Sequence, residues 1–315
     1  MRFDVLVLGS LHMDIMVSAP DRPRRGETVT GDSWSLKPGG KGGNQAVEAA
    51  LVGARTAMIG AVGGDAFGEA LLRNLQAHAV DTSCVAIHKE AKSGISVAIT
   101  DAGGDYGAVI VSGVNLTLGR ADVDAAHALL PGASWLLMQQ EVPDAANLAA
   151  ANAARLHGVK TILNAAPARP FPDALNGLVD ILVVNEIEAE AMGAPAIDSL
   201  AAAGEAAAGL LRFAEATVVT AGAAGVAIAT RTGRHAAIAG HAVNLVSTHG
   251  AGDCFIGALA AQQAAGADLE AAARYANATA ALRVSSPAGP DRRHDPVAIR
   301  ELISHAEASQ SIRNT

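Results

Sequence analysis

The sequence predicts an α/β protein with helices packed closely on a parallel sheet, and three observations carry that reading. From residue 121 onward, short apolar runs alternate with alanine-rich stretches, the pattern of βα units on a parallel sheet. Half of the 315 residues (50%) are hydrophobic, yet only 3% are aromatic, so alanine, valine and leucine must fill the core. Residues 11–37 and 95–111 instead show loose or period-two alternation, which suggests a small sheet outside the main one. A chain of this length can bury one large α/β core or two smaller ones.

In chain order, Val5-Leu6-Val7-Leu8 is an apolar run ending at Gly9-Ser10 and reads as a buried strand. Pro20, Pro23 and Gly26 break any helical period between 11 and 37. From Asn44 the pattern turns helical through Ala46, Val47, Ala49, Ala50 and Leu51. Ala57–Gly60 is the next strand and Ala66–Ala77 the next helix. Ile95–Ile99 alternates with period two, turns at Asp101–Asp105 and resumes at Ala108–Val111. Four further strands are expected at Trp135–Met138, Thr161–Leu163, Ile181–Val184 and Thr217–Thr220. Residues 201–210 read as a packed helix, Gly257–Ala265 as another, and the tail from His305 as polar and frayed.

Charge and cysteine usage narrow the function. The net charge is -8 with no basic block, which argues against a nucleic-acid partner. Cys84 and Cys254 are far apart and no CxxC occurs, so structural zinc is not expected. No signal-peptide anatomy and no bilayer-length apolar run are present; a cytoplasmic protein without membrane contact is the expectation.

The candidate chemistry centres on Ser247-Thr248-His249-Gly250-Ala251-Gly252-Asp253. Side chains are nearly absent from 250 to 252, so an anion can approach bare N–H groups at a helix start. Asp253 follows, where it could take a proton from an attacking hydroxyl. The other reading is a tight loop with Asp253 as an N-cap. Gly39-Gly40-Lys41-Gly42-Gly43-Asn44 holds four glycines around one of only five lysines. It reads as a close approach to a ligand, with Asn44 at the helix start, or as a flexible hinge. Asn185 and Glu188 end a strand, where a Mg²⁺ could be held through water or a helix simply capped. Thr220, Gly222 and Gly225 follow another strand and would let phosphates near the backbone, although a plain turn fits them too. Asp14 and Glu141 are carboxylates at strand ends, suited to sugar hydroxyls or to solvent. No G-x-x-x-x-G-K-[ST], G-x-G-x-x-G after the first strand, or G-x-S-x-G occurs, so P-loop, dinucleotide and serine-hydrolase sites lack their fingerprints.

Taken in order, these motifs resemble the ribokinase-like (PfkB) family of carbohydrate kinases from about residue 4 to about 303. The N-terminal signature is similar to Gly39–Ala46 extended through Gly60–Gly68, and the C-terminal one to Gly250-Ala251-Gly252-Asp253. Asn185-x-x-Glu188, Arg25–Val29 and Asn164–Arg169 add to the likeness. The resemblance implies a three-layer α/β/α fold with a mostly parallel sheet. Residues 1–10, 38–91 and 113–315 would form the body, and 11–37 and 92–112 a β lid. It implies ATP-dependent, Mg²⁺-assisted phosphorylation of a primary sugar hydroxyl, most simply ribose, or else another sugar or a nucleoside. A sugar-binding regulator without turnover is the reading from another class. Asp253 would be the base and the 250–252 N–H groups the anion hole. Asp14, Gly40, Lys41, Asn44 and Glu141 would hold the sugar, with His12 beside them where the family usually has Asn. Asn185, Thr220, Gly222, Gly225, Gly252 and Asn277 would meet ATP. Ser247 stands where the family usually has an Asp that helps hold an activating K⁺, so Ser247 and His249 imply a weakened cation site. Pro287 and Pro290 would stiffen the opposite loop in its stead. The open sheet edges of the lid imply a homodimer through it.

Overall fold

The four residues of β1 (Val5–Leu8) are fully buried and alternate between two hydrophobic clusters. Leu6 and Leu8 join one, Val5 and Val7 the other. A strand covered on both faces lies in the middle of three layers, because successive side chains point to opposite faces. The computed structural model describes residues 2–103, 106–286 and 295–313.

After β1 come β2 (His12–Ser18), β3 (Ser33–Gly39), α1 (Lys41–Leu51), β4 (Thr56–Gly63), α2 (Ala66–Ala77) and β5 (Asp81–His88). β6 (Gly94–Thr100), β7 (Tyr106–Val111), α3 (Arg120–Ala125), β8 (Trp135–Gln139), α4 (Asp144–Leu156) and β9 (Lys160–Asn164) follow. The chain continues through β10 (Ile181–Asn185), α5 (Glu186–Ala191), α6 (Leu200–Leu210), β11 (Ala216–Ala221), β12 (Gly225–Thr230) and β13 (His235–Ala239). It closes with α7 (Ala251–Ala264), α8 (Leu269–Ser285) and α9 (Pro296–Arg313).

The nine-stranded sheet has the order β13-β12-β11-β10-β9-β8-β1-β4-β5. Pairing is parallel from β5 through β11. The last two strands run antiparallel, which corrects the expectation of uniform βα units after residue 121. Only a short turn joins β12 to β13, and a turn that short cannot cross over a sheet. Helices α1, α2, α7 and α8 cover one face, and α3 to α6 the other.

Two helices start earlier than the sequence suggested. α1 begins at Lys41, so Gly42 and Gly43 lie within its first turn. α7 begins at Ala251, ahead of the Gly257–Ala265 run read as helix, and so puts residues 250–252 at the helix start the anion-site reading gave them. α8 runs to Ser285; Pro287 and Pro290, expected to stiffen a loop, lie outside the described residues.

The small residues set how near α1 and α7 come. A Cβ on Gly257 would sit 2.6 Å from the Glu48 Cβ and 2.7 Å from the Gln45 carbonyl oxygen. No larger residue fits, and this contact brings the first turns of both helices to one place. That place is also a switch point: β1 is flanked by β4 on one side and β8 on the other, and open α/β sheets bind ligands beyond the strand ends there.

The second sheet has the order β3-β2-β6-β7 and leaves apolar side chains in the open. Trp34 is 70% exposed and Val109 66%, with Leu36, Ile110 and Val111 also exposed. Among the described residues, no helix is long and apolar enough to cross a membrane.

Candidate active site

Asp253 lies in the first turn of α7 and is not its cap; Gly250 holds that position at φ 75°, a left-handed conformation that favours glycine. Both carboxylate oxygens of Asp253 are held by α1. Asn44 Nδ2 donates to Oδ2 at 2.9 Å, and Gln45 Nε2 donates to Oδ1 at 3.0 Å. Gln45 is itself fixed, since its Nε2 also donates to Asn164 Oδ1 at 3.1 Å and its Oε1 accepts from Gln139 Nε2 at 2.8 Å. Burial pushes the Asp253 carboxyl pKa up, against Lys41 and the two amides, which favour the charged form. Its rim keeps some access to solvent. A carboxylate so placed is a stronger base than a solvated one and has lone pairs left for a hydroxyl.

Beside it stands the α7 N-terminus. The Ala251 N–H donates to the Thr248 carbonyl at 3.2 Å, so that member of the expected trio is used within the turn. Among the described residues, no acceptor meets the N–H groups of Gly250, Gly252 or Asp253. A Cβ on Gly252 would meet nothing within 4 Å, so its backbone faces open space.

The glycines of the 39–43 stretch have a packing role that the sequence did not suggest. A Cβ on Gly42 would lie 2.7 Å from Gly9 Cα, one on Gly40 2.7 Å from the His12 N, and one on Gly43 2.8 Å from Leu11 Cδ2. They let α1 press on the chain leaving β1. Asn44 is correspondingly not the helix cap. Gly40 caps α1 without a side chain, and Glu141 completes it, accepting from the Lys41 N–H at 3.0 Å and from the Ser10 hydroxyl. His12 is 2% exposed with Nδ1 3.7 Å from Glu141, and burial lowers its pKa despite that carboxylate, so the ring is neutral.

Asp14 lies within β2, not at a strand end, and its carboxylate reaches the same space: His249 Nε2 is 3.9 Å away. Burial, with Glu141 and Asp253 nearby, pushes its carboxyl up to about 6 against the pull of Lys37.

The remaining candidates string along the neighbouring strand ends. Asn185 and Glu188 form a capping box on α5: Asn185 Oδ1 accepts from the Glu188 N–H at 2.9 Å, and Glu188 Oε2 accepts from the Asn185 N–H at 2.9 Å. The capping reading is therefore real, and it leaves Glu188 Oε1 and the Asn185 amide NH₂ available. Thr220 is in register with Asn185 on β11. Gly222 faces Glu186, whose Oε1 would lie 3.5 Å from its Cβ. Gly225 is a strand glycine with the Ile238 carbonyl oxygen 2.0 Å from its would-be Cβ, so that side is turned to protein. Asn277 Nδ2 donates to the carbonyl of Ala239, the strand partner of Gly225, at 2.9 Å. The Ser247 hydroxyl accepts the His249 N–H at 3.2 Å.

Sequence reasoning did not single out Gln45, Gln139 or Ser10 as site residues. Gln139 and Ser10 stand at strand ends, the signal that drew attention to Glu141. Gln45 lies inside an apolar helical run, where a polar side chain usually faces solvent.

Glu188 Oε1, with the second lone pair of Asn185 Oδ1, fits an ion that keeps most of its waters, as Mg²⁺ does, better than an ion caged by protein. Among the described residues, no cluster of three or more His, Cys, Asp or Glu could hold a metal unaided.

Residues 2–291 match the pfkB family of carbohydrate kinases. The chain is 32% identical over 307 residues to a ribokinase of Haemophilus influenzae, covering 97% of this chain and 100% of that one. It is 36% identical over 288 residues to a ribokinase of Bacillus subtilis, covering 90% and 93%. Among solved structures, the Arabidopsis thaliana ribokinase complexed with ribose and ATP superposes with a TM-score of 0.88 at 27% identity, covering 96% of this chain and 99% of that one.

Proposed function

The chain belongs to the pfkB family of carbohydrate kinases, and from that premise we propose that it transfers the γ-phosphoryl group of ATP to the primary hydroxyl of D-ribose, giving ADP and ribose 5-phosphate. The observation that carries the chemistry is Asp253, gripped through both oxygens by Asn44 and Gln45 beside N–H groups with no acceptor. The sugar hydroxyl gives its proton to Asp253 as its oxygen attacks phosphorus. Charge growing on the phosphoryl oxygens meets the N–H groups of Gly250 and Gly252 and the positive end of α7. Asp14, Lys41, Asn44 and Glu141 orient the sugar, with His12 closing the pocket. Asn185, Thr220 and Gly222 lie along the phosphates, with Gly225 and Asn277 beyond them. Glu188 and Asn185 would hold Mg²⁺ through water, and that ion supplies neutralisation of the ATP phosphates.

A coupled ADP-release assay over ribose, 2-deoxyribose, fructose and nucleosides tests the reading. Ribose is expected to give the highest kcat/KM. A nucleoside or another sugar ahead of it reassigns the acceptor, with His12 as the first suspect. No ADP release with any acceptor favours a binding protein.

The Asp14 carboxyl gives a pH prediction. Ionised, it accepts hydrogen bonds from sugar hydroxyls; protonated, it loses half that capacity. KM for the sugar is expected to rise as pH falls through about 6. The fold pays on the other side: its pKa is raised above the unfolded value, so the native state binds more protons and stability declines as pH rises from 3.8 to about 6. Asp14→Asn is therefore expected to raise Tm at neutral pH while raising KM and flattening its pH dependence. An unchanged KM profile removes Asp14 from the sugar site.

The four-stranded sheet is read as a lid and as the dimer surface. Exposed Trp34, Leu36, Val109 and Val111 lie on one face of the sheet, an apolar face that water disfavours. A dimer is expected by light scattering at micromolar concentration, and Val109→Lys with Val111→Lys is expected to give a monomer. A monomeric wild-type protein refutes this.

A further inference from the structure

His249 stands one residue ahead of Gly250, which caps α7. Its place in the turn is set on both sides. Its own N–H donates to the Ser247 hydroxyl at 3.2 Å, and the Ala251 N–H donates to the Thr248 carbonyl at 3.2 Å. The imidazole is 48% exposed, and its Nε2 lies 3.9 Å from Asp14 Oδ2. Asp14 comes from β2 and is only 7% exposed. Gly39 on β3 makes room for its carboxylate, since a Cβ there would lie 2.2 Å from Oδ2. The oxygen that Gly39 accommodates is therefore the one that His249 approaches.

A direct hydrogen bond needs about 2.7–3.2 Å between nitrogen and oxygen, so these two groups do not satisfy each other. They are close enough that one oxygen atom, about 2.8 Å from each, spans them. Their chemistry is opposite. An ionised carboxylate only accepts, and Lys37, the cross-strand partner of Asp14, favours that form. An imidazole Nε2–H donates, and a carboxylate facing that nitrogen favours the tautomer with its proton there. An alcohol donates and accepts at one oxygen, which matches both ends. An ammonium would bring the imidazole N–H no acceptor, and a phosphate or carboxylate would be repelled by Asp14. Glu141 and Asp253 act on the same Asp14 carboxylate, so it shares their cavity. Asp253 is the base for the primary hydroxyl, so the alcohol between Asp14 and His249 is a secondary one.

We propose that the His249 side chain is a specificity-determining residue that holds, together with Asp14, one secondary hydroxyl of the acceptor sugar. This rests on the kinase reading above. His249 belongs to the turn that leads into the open N–H groups of α7. The acceptor is thereby anchored to the same backbone that meets the phosphoryl group, which fixes the two reactants relative to each other.

The test compares wild-type protein with His249→Leu, which removes the donor, and with His249→Gln, whose amide restores an N–H at similar reach. Circular dichroism and Tm report folding, and His249→Ala replaces His249→Leu if the latter does not fold. Steady-state rates are measured at saturating ATP and Mg²⁺ with the best acceptor and its singly deoxygenated derivatives, 2-deoxyribose and 3-deoxyribose where that acceptor is ribose. His249→Leu is expected to raise KM for the parent sugar by about 3–10-fold, the scale of one hydrogen bond, with kcat changed less. His249→Gln should recover most of that loss. For the one deoxy sugar that lacks the held hydroxyl, wild type and His249→Leu should have the same KM. An unchanged KM for the parent sugar overturns the proposal. So does a loss that falls equally on all three sugars or lies in kcat alone, since either makes His249 a structural part of the turn. If the deoxy sugars do not turn over, their dissociation constants are compared in the same way. If no acceptor turns over, the kinase reading fails separately, and calorimetry with ribose still reads the pair. Weaker binding to His249→Leu than to wild type and His249→Gln supports the proposal, and equal binding, or none, overturns it.

Discussion

Asp253→Asn lowers kcat by about 10²–10⁴-fold, the usual loss on removing a general base. The substitution keeps the shape of the side chain and removes only its ability to take a proton. Both neighbours donate, so the new amide places one NH₂ against a donor, either Asn44 Nδ2 or Gln45 Nε2. That costs about one hydrogen bond, on the order of 1 kcal/mol. It is offset because a carboxylate whose pKa burial has raised no longer has to ionise there. Tm near the wild-type value and retained ribose binding by calorimetry are the expected companions. Turnover at the wild-type rate would leave Asp253 as a structural link between α1 and α7.

Gly252→Val is expected to cost about 10²–10³-fold in kcat, as losing an oxyanion donor does. Its particular value is that the fold should not object. A Cβ there meets nothing within 4 Å, and Gly252 is in the first turn of a helix, without a positive φ. The valine methyls would fill the space over the open N–H groups and hold a phosphate off. The check is a melting curve close to wild type beside a collapsed kcat. The reverse pattern, normal kcat in a less stable protein, would place the phosphoryl group elsewhere. Gly42→Val is a useful contrast, because its Cβ would press into Gly9 and should fail at folding instead.

The buried strands were readable because a parallel strand covered on both faces is a bare apolar run, as Val5–Leu8 and Ile181–Val184 are. β12 and β13 were missed because Gly225–Thr230 and His235–Ala239 are alanine-rich and share the composition of this protein's helices. The misplaced start of α1 fell on glycines. Glycine near a helix N-terminus reads as loop until the packing that requires it is seen, and at Gly42 that packing is against the distant backbone of Gly9. Site geometry had the same horizon. A carboxylate after Gly-Ala-Gly is visible in one dimension, whereas the grip of Asn44 and Gln45 on it joins positions more than two hundred residues apart.

The alanine and glycine packing of α1, α7 and α8 makes mutational tolerance lopsided. At Ala46, Ala49, Ala258, Ala260, Ala272 or Ala276 there is almost nothing to delete, so cavity formation, the commonest route to a damaged core, is nearly closed. Enlargement is the open route, at about 1–3 kcal/mol or more per overpacked site. Since α1 carries the amides that hold Asp253 and α7 carries Asp253 itself, a wedge between them reaches the chemistry before it unfolds the protein. Natural drift and laboratory selection alike are then confined to exchanges among the smallest residues along that seam, and variants lost there would lose activity before they lose the fold.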